Sequence, residues 1–232
     1  MDVIIEGFKQ AIVLIFTGDA LLLEATLGSL KTSGLAVLIS LLLGIPLGLM
    51  LALVRFPGRD FVVGFINAGM GLPPVVVGLF VAILLWRSGP FGSLELMYTL
   101  PAMVIAQVII AFPLVVGLTI SAIQQLNPKL RLQAMALGAN RFQVFLKLIK
   151  EARLTMLAAV IAGFGAIISE VGAVLMVGGN ISGQTRVLTT AIVEQVGKGE
   201  FSSAIALSII LLTLTFAVTY GLTRFQQKGA SS

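Results

Sequence analysis

The chain has 232 residues, of which 58% are hydrophobic and only 11% charged, with a mean hydropathy of +1.08. Soluble domains average about 45–50% apolar and about 25% charged residues, so a water-soluble globular domain is excluded and an all-α integral membrane protein is expected. The formal charge of +5 lies in short basic stretches between apolar runs, a topogenic arrangement rather than a nucleic-acid footprint. With neither Cys nor His, disulfides, thiol nucleophiles and imidazole-based metal or acid–base chemistry are ruled out.

In chain order, residues 3–16 are apolar but short and interrupted by Glu6 and Lys9, which predicts a helix lying along the membrane interface rather than across it. Five later runs are long enough to cross about 30 Å of hydrocarbon: residues 27–54, 62–86, 99–123, 154–177 and 202–223. The first of these reads as an uncleaved anchor, because no basic leader and small-residue cleavage site frame it. All of residues 1–232 read as one transmembrane domain.

Most of the 15 Lys and Arg follow the odd-numbered spans. Arg55 and Arg59 follow the first; Lys129, Arg131, Arg141, Lys147, Lys150 and Arg153 follow the third; Arg224 and Lys228 follow the fifth. The positive-inside tendency makes these turns cytoplasmic, with the N-terminus outside and the C-terminus inside.

Small residues and prolines interrupt the spans. Gly44 and Gly48 bracket Pro46 at GxxxG spacing; Gly69, Gly71, Pro73 and Pro74 punctuate the second span, Pro113 and Gly117 the third, Gly163 and Gly165 the fourth. Such positions serve close helix packing or bends around a gated path. Pro73 and Pro74 are the candidates for the latter. Intramembrane polar groups are few, and Asn67, Gln107, Ser169 and Glu170 are the main set. Asn67 and Gln107 fit either an interhelical hydrogen bond of roughly 0.6–2 kcal/mol or a path lining. An ionised Glu170 must face the bundle interior, a wet cavity or a partner, in keeping with bracing a gate or a dimer seam. A serine enzyme built on Ser169 would need a base, and the chain has no His to serve as one.

Between Asn127 and Arg153 lies the segment that water must solvate. Asn127-Pro128 opens a helix, Leu130, Ala134 and Leu137 recur at helical spacing, and Gly138 supplies a left-handed stop. Asn140 then caps a second helix in which Phe142, Phe145 and Ile149 share a face, predicted to run on into the fourth span. On patterning alone this is either a plain solvated hairpin or a coupling surface. Outside, the 179–201 loop places Val187, Leu188, Ile192 and Val193 near helical spacing, as a surface helix or one that dips back toward the mouth.

Five stretches carry a family resemblance. Leu132-Gln133-Ala134 through Leu137-Gly138-Ala139-Asn140-Arg141-Phe142 resembles the ABC-importer permease signature, with Leu132 in place of its acidic start and Lys150-Glu151 where its Leu-Pro end would fall. The run from Leu72-Pro73-Pro74 to Gly78-Leu79, and Ile168-Ser169-Glu170-Val171-Gly172-Ala173 followed by Met176-Val177-Gly178-Gly179-Asn180, resemble the molybdate, tungstate and sulfate permeases. Lys150-Glu151-Ala152-Arg153 and Thr185-Arg186-Val187-Leu188-Thr189-Thr190 are most similar to the tungstate-type branch.

The resemblance implies a type I ABC importer transmembrane fold, a homodimer in the lipid of a prokaryotic inner membrane, a cytoplasmic ABC ATPase dimer and an extracytoplasmic tungstate-binding protein. It assigns ATPase coupling to Ala134, Leu137, Gly138, Ala139, Asn140, Arg141 and Phe142. Asn67, Pro73, Pro74, Gln107, Ser169 and Glu170 become path or gate candidates. The chain has no phosphate-loop motif, so it is expected not to be the ATP-hydrolysing subunit and to hold no cofactor. Molybdate or sulfate as the ion, and an ion-driven carrier acting through Glu170, are the alternatives.

Overall fold

The computed structural model describes residues 2–17 and 19–230. Ten α-helices follow one another among them: α1 (Asp2–Thr17), α2 (Ala20–Leu53), α3 (Arg59–Gly69), α4 (Pro74–Leu85), α5 (Leu100–Gln124), α6 (Pro128–Ala136), α7 (Arg141–Ile168), α8 (Gly172–Gly178), α9 (Leu188–Gly197) and α10 (Phe201–Ala230). Four of them, α2, α5, α7 and α10, are individually long and apolar enough to span a membrane, and α3 with α4 makes a fifth, broken span.

The third expected span matches α5 to within a residue at each end. The others differ for local reasons. The first starts earlier, at Ala20, because the Asp19 side chain accepts the Leu22 amide at 3.0 Å and caps the helix, giving a rod of 34 residues, about 51 Å. The second is two half-helices meeting at 102°, because Pro73 and Pro74 lack amide donors and cannot continue the ladder of α3. The fourth begins thirteen residues early, since α7 runs unbroken from the solvated segment, and it stops at Ile168 instead of continuing to residue 177. Ser169, Glu170 and Val171 separate it from α8.

At 16 residues, about 24 Å, α1 is shorter than the hydrocarbon core. It lies against α10, with Ala11 buried and the Gln10 amide donating to the Ser203 hydroxyl at 3.1 Å, and turns Ile4, Phe8, Ile12 and Phe16 outward.

The hub is α5: 61% of its apolar window is inside the fold, against 17% for α10, so α5 organises the packing and α10 faces outward. Its main partner is α2. At Gly44 and Gly48 a Cβ would come within 2.9 Å of Val115 and 2.7 Å of Thr119. The GxxxG spacing therefore seats one backbone on the other, where lipid supplies no hydrophobic drive and van der Waals contact must hold the pair. Pro113 rests on Gly69 of α3. Four clusters of buried side chains take residues from α5: Ala122 and Ile123 with Leu49 and Leu148; Val116 and Ile120 with Leu51 and Ile66; Val104 and Ala111 with Ala36, Val37 and Ile167; Ala102 and Met103 with Val77, Val81 and Val174.

Candidate functional site

Three regions carry the groups singled out above. The first is the elbow made by α6 and the start of α7. Asn127 Oδ1 accepts the Lys129 amide at 2.9 Å, opening α6. At its end Gly138 takes φ +83° while the Ala139 amide bonds Ala134 O at 3.0 Å and the Gly138 amide bonds Met135 O at 3.0 Å, a complete glycine stop that satisfies two terminal carbonyls. Asn140 and Gln143 then cap each other reciprocally, at 2.8 and 2.9 Å. The elbow is thus a rigid, fully capped corner.

Its inner side is anchored: Val144, Leu148 and Ala152 are buried with Leu49, Ala122 and Ile123, and Ala134 and Ala139 pack against this cluster. Its outer side is not. The expected stripe through Leu137 ends in solvent, with Leu137 88% and Phe142 66% exposed beside exposed Leu132 and Met135. Phe142 stacks on Phe145 at 6.3 Å between centroids. Leu137 sits at the helix stop, just past the half-buried side of α6 that carries Leu130 and Ala134. Arg141 opens α7 and is exposed.

The second region is the pair of breaks in mid-bundle, where α4 and α8 start side by side. Gly78 lies against Ala173, where a Cβ would come within 2.5 Å of the Ala173 Cα, and Val75 touches Gly172. Glu170 Oε1 accepts the Ala173 amide at 2.9 Å. The Thr189 hydroxyl donates to Glu170 O at 3.0 Å and so fastens this break to the outer segment. Gln107 is 3% exposed, and its amide donates to Ile167 O at 2.9 Å, satisfying a carbonyl at the buried end of α7. Ser169 Oγ bonds back to Gly165 O at 2.8 Å and is exposed.

Pro74, Gln107 and Glu170 therefore belong to one locality, with Pro73 and Ser169 at its exposed margin. Asn67 does not join them. It is exposed on α3 beside Gly117, ten residues along α5 from Gln107, or about 15 Å.

The third region, on the far side of the fold from the elbow, was only partly foreseen. Residues 179–187 and α9 fold back onto the bundle, with Leu188 and Ala191 buried against Leu22, Ala25, Leu207 and Ile210. The run 185–190 supplies most of the pins: Thr185 Oγ1 donates to Gly178 O at 2.6 Å, the Leu188 amide donates to Ser29 Oγ at 2.9 Å, and Thr189 reaches Glu170. Glu24 of α2 accepts the Gly183 amide. Glu194 is an ionic hub, accepting from Lys198 at 2.6 Å, Asn180 at 2.7 Å and Arg186 at 2.9 Å. The near-helical spacing of Val187, Leu188, Ile192 and Val193 was the signal; the partners 19 to 159 residues away were not visible in it.

Glu194 shows how the hub responds to pH. The Lys198 hydrogen bond first, then the Asn180 bond and the Arg186 charge, outweigh partial burial and hold its carboxyl below the usual carboxylate range. A carboxylate depressed in the fold adds stability above its unfolded pKa of about 4.3, and that stability is lost as pH falls through the lower folded value. Glu194→Gln is thus expected to lower the thermal midpoint of the purified chain at pH 7, with the difference from wild type shrinking below pH 4. A difference that stays constant with pH would contradict the hub.

Among the described residues no group of three His, Cys, Asp or Glu is placed to hold a metal ion. The architecture has close counterparts. A chain of a bacterial ABC transporter involved in the import of the acidic polysaccharide alginate superimposes with a TM-score of 0.77 at 19% identity, covering 94% of this chain and 83% of that one, and the fold is that of type I ABC importer transmembrane domains. A probable anion ABC transporter permease protein of Haloferax volcanii is 42% identical, covering 89% of this chain and 91% of the relative. The tungstate uptake system permease protein TupB of Peptoclostridium acidaminophilum is 37% identical, covering 98% of this chain and all of the relative. Residues 44–229 match the family described as binding-protein-dependent transport system inner membrane component, which takes in the elbow, both breaks and the folded-back outer segment. The chain is a multi-pass membrane protein belonging to that family of ABC importer permeases.

Proposed function

We propose that the chain is the membrane-spanning subunit of an ATP-driven tungstate importer. It works as a homodimer, seated by its elbow on a dimer of a separate cytoplasmic ATPase and loaded from outside by a tungstate-binding protein. The observation that carries the coupling is the elbow itself, a capped corner with Leu137 and Phe142 bare on one side and α7 running without interruption from it to the buried break. An apolar surface on a solvated corner is a docking surface in need of a partner. The choice of ion is supported by the tungstate permease that this chain matches end to end.

ATP-driven closure of the ATPase pair pushes on Ala134 to Phe142, and α7 carries the displacement to Ser169 and Glu170. There Glu170 holds the start of α8, and Thr189 passes the movement to the outer segment. Access then alternates between the two sides through discrete packings of the bundle. The path candidates Asn67, Pro73, Pro74, Gln107, Ser169 and Glu170 offer no cation, so a divalent oxyanion is not trapped in transit and selectivity falls to the binding protein. Glu170 is committed to Ala173, which favours a structural role over that of a proton carrier. With the positive-inside orientation, N-terminus outside and C-terminus in, the elbow faces the ATPase and residues 179–187 face the binding protein.

Reconstitution with the neighbouring ATPase and binding protein tests this. Tungstate is expected to stimulate ATP hydrolysis and to enter vesicles at least about tenfold faster than sulfate, a difference of about 1.4 kcal/mol. Stronger stimulation by molybdate would replace the ion and keep the mechanism. Uptake that proceeds without the ATPase would sink it.

A further inference from the structure

Two cavities of 450 and 620 Å³ lie side by side between the C-terminal end of α2 and the elbow, and Leu53, Arg55 and Arg131 line both. Arg59 borders the first and Arg141 the second. No Asp or Glu lines either one.

The four arginines are not equally occupied. Arg59 has a counter-ion: its Nε donates to Leu51 O at 2.6 Å and its Nη1 to Asp60 at 3.1 Å. Arg131 gives one nitrogen to Leu53 O at 3.3 Å, a basic cap on the carbonyl end of α2 that leaves its remaining donors free. Arg55 and Arg141 have no partner among the described residues. Positive-inside topology accounts for basic residues in these turns, but not for their meeting at one concavity from three separate elements, the α2–α3 turn, α6 and α7. The first turn of α7 also lines the second cavity, and its dipole adds a further positive contribution. Arg55, Arg131 and Arg141 are exposed, and no carboxylate lines the hollow that they border. Each offers a planar fork of donors matched to the oxygens of a tetrahedral anion.

We propose that this hollow binds a tetrahedral oxyanion on Arg55, Arg131 and Arg141, either as the phosphate of a lipid headgroup or as a free anion of the phosphate, sulfate and tungstate type. The bound anion ties the α2–α3 turn to the elbow and restrains the elbow's movement. Placing the hollow on the inner face rests on the orientation proposed above; its anion chemistry does not, because binding is read on the permease alone.

The test uses the full chain purified in uncharged detergent, as wild type, Arg55→Gln and Arg153→Gln, the last removing one positive charge on α7 outside the hollow. Titration calorimetry with tungstate and with orthophosphate reads the free-anion arm, and native mass spectrometry after exposure to phosphatidylglycerol reads the lipid arm. Binding in either arm that falls about ten- to a hundred-fold in Arg55→Gln, with Arg153→Gln and the thermal midpoint unchanged, is the expected result. Free-anion binding alone assigns the site to soluble oxyanion, and lipid retention alone assigns it to headgroup phosphate. No binding in either arm overturns the proposal. So does binding that Arg55→Gln leaves intact, or that Arg153→Gln weakens equally. Should Arg55→Gln fail to fold, Arg55→Lys, which keeps the charge and loses the fork, is expected to show a smaller loss in the same arm, and unchanged binding there is equally fatal.

Discussion

Leu137→Asp is expected to abolish energised uptake while leaving the isolated chain intact. The side chain is 88% exposed at the end of α6, so in the free chain the substitution exchanges one solvated group for another and stability should stay within about 0.5 kcal/mol. In the importer proposed above, the same position falls on the surface offered to the ATPase. A carboxylate there loses an apolar anchor and must also be desolvated, an effect that at buried anchors costs about 2 kcal/mol or more, or at least about thirtyfold in affinity. The measurement is paired: thermal midpoint of the purified chain, and co-purification of the ATPase together with binding-protein-stimulated hydrolysis. A midpoint near wild type with the ATPase lost is the expected result. Full co-purification and normal uptake would remove Leu137 from the docking surface.

Gly78→Val is expected to have the largest effect on the fold itself. The Cβ it introduces comes within 2.5 Å of the Ala173 Cα, a backbone atom that cannot rotate away, so α4 and α8 must separate. Forcing extra volume into such a contact typically costs about 1–3 kcal/mol, and a clash with backbone belongs at the upper end. Gly165 provides the contrast: nothing lies within 4 Å of its added Cβ, so Gly165→Ala should be neutral or stabilise α7 by up to about 1 kcal/mol. Thermal midpoints and protease resistance of both variants in detergent decide the matter. Equal behaviour would mean that α4 and α8 do not meet in the membrane as described.

What could be read from the sequence was local. The Asn127-Pro128 opening, the Gly138 stop and the Asn140 cap each rest on bonds within five residues, so they were legible and the elbow appears where expected. The double proline at 73 and 74 announced the first break. The second break was hidden because Ser169, Glu170 and Val171 interrupt an apolar run too briefly for hydropathy to register, and the bonds that stabilise it come from Gln107 and Thr189. Asn67 and Gln107 looked alike as lone amides in apolar surroundings, yet one is exposed on α3 and the other closes a helix end. Chain separation also concealed the arginine hollow, which gathers Arg55, Arg131 and Arg141 from three turns.

The unbroken course of α7 has a mechanical corollary. Its 28 residues form a stiff strut of about 42 Å, reciprocally capped at one end and held by Gln107 at the other. A tilt of about 10° about its capped foot swings its head by about 7 Å, more than the pitch of one helical turn. Amplification of that size lets a sub-nanometre stroke below reset the packing beneath the opposite surface, with no need for either end to unwind.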